Sequence, residues 1–149
     1  MEKETRCLIL MTTYNGEKYL SQQIDSIVNQ THKDWKLLIR DDGSSDSTRQ
    51  LLADYEKKDS RIIVYQNTTD KHGAYLNFWT LIHEAREHHI DYDYYFFSDQ
   101  DDVWEPDKLE VMIKNAKELS QDKPILLYGD MRVIDQNNAV VYRLNDFLS

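Results

Sequence analysis

Glycine is scarce in this sequence, with four among 149 residues. Gly16, Gly43, Gly73 and Gly129 stand far apart, so neither G-x-G-x-x-G nor a P-loop can be written anywhere in the chain. Any phosphate must then be held by something other than a glycine cradle, and a metal ion is the natural substitute. The single cysteine, Cys7, excludes an internal disulfide framework and fits a reducing cytosol. It lies at the edge of an apolar run, where a buried, inert thiol is expected rather than a nucleophile. No apolar run approaches the ~20 residues of a membrane span, and "MEKETRC" has no signal-peptide pattern. Positive charge is also in deficit: 18 Lys and Arg against 27 Asp and Glu leave a net charge of −9. That argues against nucleic acid as a partner, because nucleic-acid binders generally carry a basic footprint. An anionic ligand stays open where a cation or a local basic side chain mediates.

What is present suits a folded domain: 40% hydrophobic and 30% charged residues in a length sufficient for one core. Short apolar runs alternate with segments of helical period. "CLILMT" (7–12), "WKLLIRD" (35–41), "RIIVYQN" (61–67), "DYYFFSD" (93–99) and "PILLYGD" (124–130) predict strands, and "DQNNAVVYR" a turn into a sixth. The first helix is expected over 17–30, with Leu20, Ile24, Ile27 and Val28 on one face. Further helices are expected over 47–59, over about 74–87, and after Pro106, a first-turn proline. Strands alternating with helices imply βαβ units: a mostly parallel sheet with helices on both faces. Right-handed crossovers then place the strand C-termini along one edge, where such sheets bind ligands. With no internal repeat or linker, residues 1–149 are expected to form a single domain.

Polar residues gather at that edge. The first strand runs into "TTYNGEKYL", the second into "DDGSSDST" and the fourth into "SDQDD", delivering Thr12, Tyr14, Asn15, Asp41, Asp42, Asp99, Asp101 and Asp102 to one rim. Taken singly, each has a structural explanation. Asn15-Gly16 and Asp42-Gly43 suit turns, Ser45 or Asp46 suits a helix cap, and Asp102 or Glu105 suits the helix at Pro106. Capping, however, needs one carboxylate per helix and not three within four positions. Asp99 and Asp101, one residue apart in a turn, can converge on a hard divalent cation, Mg²⁺ or Mn²⁺. Such a cation relieves the repulsion of neighbouring carboxylates and bridges to a diphosphate. An EF-hand does not fit, since Val103 and Trp104 stand where an acid and a glycine belong.

Together, "LILMTTYNGEKYLSQQIDSIVNQTHKDWKLLIRDDGSSDST" and "FFSDQDDVWEPDKL" strongly resemble the family 2 glycosyltransferases of the GT-A fold, most closely the rhamnosyltransferase-like subgroup. The resemblance covers nearly the whole chain. It implies a Rossmann-like GT-A sandwich and an inverting transfer of a sugar from a nucleoside diphosphate to an acceptor hydroxyl, with Mn²⁺ or Mg²⁺. It implies that Thr12, Tyr14 and Asn15 belong to the nucleoside site, with Tyr14 against the base and Asp42 reading a pyrimidine. Asp99 would contact the ribose or metal-bound water, and Asp101 would ligate the metal. "KHGAYLNF" matches the segment flanking the nucleotide: Gly73 lets the backbone approach, while Lys71 either approaches the base or phosphates or stays a solvated loop charge. Asp102 and Trp104 would belong to the sugar pocket, with a core tryptophan as the alternative. The implied donor is dTDP-rhamnose or a UDP-sugar, and the acceptor a glycan or lipid-linked glycan. Work at the cytoplasmic membrane face, by peripheral association, follows from such an acceptor.

The resemblance leaves one role unfilled. Inverting transfer needs a general base for the acceptor hydroxyl, and the family places it beyond the segment matching residues 124–143. It is therefore expected beyond residue 149, with Asp130 and Asp135 the nearest acids but not in its position. Three other readings stand beside this one. A nucleotidyltransferase would bring a glycine-rich, basic loop after the first strand, where "TTYNGEKYL" has one glycine and one lysine. A receiver-like module would need an aspartate ending the third strand, where Gln66 and Asn67 stand. The last is a non-catalytic nucleotide-binding fragment.

Overall fold

The computed structural model describes residues 4–119 and 122–143. The chain divides into two compact units, Met1–Ile113 and Lys114–Ser149. In the first unit, β1 (Cys7–Thr13), β2 (Trp35–Asp41), β3 (Ile62–Gln66) and β4 (Tyr94–Ser98) form one sheet in the order β3-β2-β1-β4, all neighbours parallel. The connections are α1 (Leu20–Val28), α2 (Thr48–Lys58) and α3 (Ala74–His88), and α4 (Lys108–Lys117) follows β4. Strand alternation decides what each face buries. Cys7, Ile9 and Met11 point to the side carrying Leu20, Ile24, Leu52 and Leu109, whereas Leu8, Leu10 and Leu38 pack with Leu81 and Ala85 of α3. The sheet is thus parallel and covered on both faces, and every expected element up to α4 forms.

Topology brings the polar ends together. With β1 at the centre, its C-terminus lies between those of β2 and β4, with Thr13 opposite Asp41 and Met11 opposite Ser98. Among the described residues, β4 is an edge strand with a hydrogen-bonded neighbour in this sheet on one side only. Phe97 is 54% exposed and Tyr95 46%, so this apolar run forms the expected strand without being buried on both faces. An apolar run reports the residue types that suit a pleated surface, and not whether a second neighbour covers them.

In the second unit, β5 (Arg132–Ile134) and β6 (Val140–Arg143) pair antiparallel. The turn between them has Asn138 at φ 63, and Asp135 Oδ1 accepts from Asn137 N at 2.8 Å and Ala139 N at 3.0 Å. Asp135 therefore serves its own hairpin. The expected strand over 124–130 is also corrected: "PILLYGD" has no regular structure, and Leu126 and Tyr128 are largely exposed. Its composition is strand-like, but a strand forms only where a neighbour takes up its backbone hydrogen bonds. Among the described residues, no helix is long and apolar enough to cross a membrane.

Candidate functional site

The two aspartates ending β2 separate by role. Asp41 is fully buried and accepts from Thr13 Oγ1 at 2.9 Å, from Ser44 N at 2.9 Å and from Ser44 Oγ. It thereby locks the end of β1 to the turn after β2. Gly43, at φ 83, makes that turn in a region costly for a side chain. Asp42 then faces the segment before α3: its Oδ2 accepts from Gly73 N at 2.8 Å and its Oδ1 from Asn67 Nδ2 at 2.7 Å. His72 Nδ1 lies 3.3 Å from the same Oδ1. Burial pushes the Asp42 carboxyl up, but the bonds from Gly73, Asn67 and His72 outweigh it and hold the group below the ordinary value of 3.8.

Behind Asp42 lies a buried polar network. Arg40 donates through Nη2 to Asn67 Oδ1 at 2.9 Å and through Nη1 to Asn77 Oδ1, while Asn77 Nδ2 donates back to the Arg40 carbonyl at 2.9 Å. Asn67 thus connects the Arg40 guanidinium to the Asp42 carboxylate, and Asn77 ties the first turn of α3 to β2. The network fixes the segment 67–77 against the strand ends.

The β4 loop completes the wall. Ser98, buried, receives Gln23 Nε2 of α1 at 2.6 Å, and Trp104 N donates to Ser26 Oγ of the same helix at 3.0 Å. Between these anchors Asp99, Gln100 and Asp101 border a cavity of about 710 Å³. Its other walls are Thr12 and Thr13 of β1 with Tyr14 just after it, Asp42 and Gly43 just after β2, and His72, Gly73, Ala74, Asn77 and Phe78 at the start of α3. None of these wall residues is lysine or arginine. Among the described residues no three His, Cys, Asp or Glu side chains assemble as a metal cage. Two carboxylates on a wall without fixed cations do fit Mg²⁺ or Mn²⁺, which take one or two carboxylates and complete their shell with water and phosphate.

Of the residues singled out in the sequence, Thr12, Tyr14, Asp42, Gly73, Asp99 and Asp101 share this cavity. Asn15, Lys71, Asp102 and Trp104 are not on its wall. Asn15, at φ 46, accepts Ser45 N on its Oδ1 at 2.9 Å. Lys71 is exposed, and its carbonyl receives Asn67 Nδ2 at 2.8 Å. Asp102 sits beside the pair: partial desolvation and then the charges of Asp99 and Asp101 push its carboxyl above the ordinary range. Trp104 is 5% exposed, packs against Phe96 at 6.2 Å between ring centroids and lies under the Lys108 ammonium at 4.3 Å. It is a core residue, the alternative that the sequence left open, and it is not on the cavity wall. Arg40, Asn67, His72 and Asn77 were not foreseen. Two of them left a trace: Arg40 interrupts an apolar strand, and Asn77 continues the buried Leu81–Ala85 stripe of α3 one turn earlier.

A parallel sheet whose adjacent strand ends deliver a tyrosine, a buried acid and a D-x-D pair to one cavity is an α/β sheet of the nucleotide-diphosphosugar transferase class. Residues 8–139 match the family model "Glycosyl transferase family 2", and the chain belongs to that family. It is 32% identical over 132 residues to UDP-Glc:alpha-D-GlcNAc-diphosphoundecaprenol beta-1,3-glucosyltransferase WfgD of Escherichia coli, covering 89% of this chain and 48% of the relative. It is 39% identical over 107 residues to dTDP-rhamnosyl transferase RfbG of Shigella flexneri, covering 71% of this chain and 35% of the relative. The chain therefore spans less than half the length of these relatives. Among solved structures, S. aureus TarS 1-349 in complex with UDP-GlcNAc superposes with a TM-score of 0.67 at 19% identity, over 87% of this chain and 40% of that one. This likeness shows the GT-A fold.

Proposed function

We propose that the chain is the donor-binding part of an inverting glycosyltransferase that builds cell-surface polysaccharide or another glycan. One observation carries the reading: Asp99 and Asp101 border the same cavity as Tyr14 and Asp42, on a wall with no lysine or arginine. A diphosphate entering among acids needs a cation to accompany it. Asp99 and Asp101 are the residues to hold Mn²⁺ or Mg²⁺, which when bound supplies charge neutralisation on the departing diphosphate. Tyr14, 56% exposed, offers its ring to the base. Asp42 has about four acceptor positions and uses three, which leaves one for a single ring N–H of a pyrimidine. Thr12 and Gly73 line the nucleoside side, and Asp102 stands at the edge of the acid cluster toward the sugar.

The relatives named for dTDP-rhamnose and UDP-glucose support a pyrimidine nucleotide donor, and the diphosphoundecaprenol in one name supports a lipid-linked acceptor. Activity at the cytoplasmic face of the membrane follows from that acceptor. A nucleotidyltransferase is less well supported, because Lys18, the lysine of the β1 loop, lies against the Tyr19 ring at 4.8 Å and not on the cavity wall.

A thermal-denaturation panel of UDP, dTDP and GDP, each with and without Mn²⁺, tests the reading. A nucleotide at 100 times its dissociation constant should stabilise the fold by about 2.7 kcal/mol. The gain should need Mn²⁺ and vanish with EDTA or in Asp101→Ala. Absence of any metal-dependent gain would overturn the proposal.

A further inference from the structure

The loop after β1 is held by side chains from three directions. Asn15 N donates to Ser44 Oγ at 2.9 Å, Gly16 N donates to Thr48 Oγ1 at 2.8 Å, and Tyr14 N donates to Gln100 Oε1 at 2.9 Å. The first two anchors come from the β2 side. The third comes from the residue between Asp99 and Asp101, and it is two-sided: Gln100 Nε2 also donates to the Tyr14 carbonyl at 3.1 Å. One amide therefore takes both backbone polar groups of Tyr14, as a strand neighbour would. The approach depends on Gly16, since a Cβ there would meet Gln100 Oε1 at 2.5 Å and Cδ at 2.9 Å.

Resting on the donor-site reading above, we propose that Gln100 is a positioning residue that couples the metal-facing pair to the base-facing tyrosine. Tyr14 is 56% exposed and its ring hydroxyl makes no hydrogen bond among the described residues, so its backbone decides where the ring stands. That backbone is fixed to the loop carrying Asp99 and Asp101 through Gln100. A shift of this loop on cation binding moves the Tyr14 backbone with it, and a base stacked on Tyr14 in turn biases the loop. Coupling of this kind is reciprocal.

The experiment uses the tightest nucleoside diphosphate of the panel with Mn²⁺, measured by calorimetric titration on Gln100→Ala, Gly16→Ala, Tyr14→Ala and the Tyr14→Ala/Gln100→Ala double variant. Gln100→Ala should bind about ten-fold more weakly, the scale of one to two lost neutral hydrogen bonds. Gly16→Ala, which keeps the amide but displaces it, should lose a similar amount. The double variant should be no weaker than the weaker single one, because Gln100 acts through Tyr14. Gln100→Glu keeps an acceptor for the Tyr14 N–H and should recover part of the affinity. Urea midpoints separate this from a purely structural tie, which would lower the midpoint and leave binding by the folded fraction unchanged. Binding unchanged in folded Gln100→Ala, or losses that add in the double variant, would overturn the inference. Failure of the parent chain to bind any nucleotide with Mn²⁺ would instead overturn the donor-site reading beneath it.

Discussion

Arg40 and Asn77 exchange two hydrogen bonds across the boundary between β2 and α3, guanidinium to side-chain oxygen and side-chain amide to backbone carbonyl. Arg40 is 9% exposed, so its charge is stabilised by amide oxygens where water is largely excluded. The arrangement orients Asn67 and, through it, Asp42.

Asn77→Ala removes an acceptor from a buried guanidinium and a donor from a buried carbonyl. The expected loss is about 2–3 kcal/mol of unfolding free energy, read from urea denaturation. Asn77→Asp restores the acceptor but not the donor and should recover part of that loss. Equal stability of Asn77→Ala and the parent would mean that water replaces the amide without cost.

Asp42 predicts an acid limb of stability. Its folded carboxyl sits below the unfolded value of 3.8, so its contribution is fully present above 3.8 and is lost as pH falls through the lower folded value. In Asp42→Asn this limb should flatten in urea titrations taken from about pH 5 down to about pH 2. An unchanged limb would assign acid sensitivity to other carboxylates.

Trp104 distinguishes core from sugar contact. Trp104→Ala should cost roughly 3–5 kcal/mol, whereas Trp104→Phe should fold and bind the nucleotide sugar as the parent does. Collapse of donor binding in a folded Trp104→Phe would return this residue to the sugar site.

Cys7 is fully buried in β1, and burial first, then the charges of Asp34 and Asp93, push its thiol up to about 12. Iodoacetamide at neutral pH should leave it unmodified in the native protein and label it in urea, as followed by mass spectrometry. Rapid native labelling would mean that β1 opens locally.

The sequence alone determined the alternation of strands and helices through α4, the parallel sheet, and the placement of Asp42, Asp99 and Asp101 at strand C-termini. Those properties follow from periodicity and from the handedness of crossovers, which are local and chain-ordered. The resemblance singled out Asp42, but the structural role of Asp41 was not legible from the residues themselves, because both are aspartates in one turn and only their partners differ. Thr13 and Ser44 engage one; Gly73 and Asn67 engage the other. The same holds for Trp104, whose burial depends on α1 and α4, and for 124–130, whose strand-like composition needs a neighbour that composition does not supply. Gln100 is the clearest instance: it lies 86 residues from Tyr14 along the chain. Only the parallel pairing of β1 with β4 brings its amide onto the tyrosine backbone, and that contact between distant segments belongs to the tertiary structure.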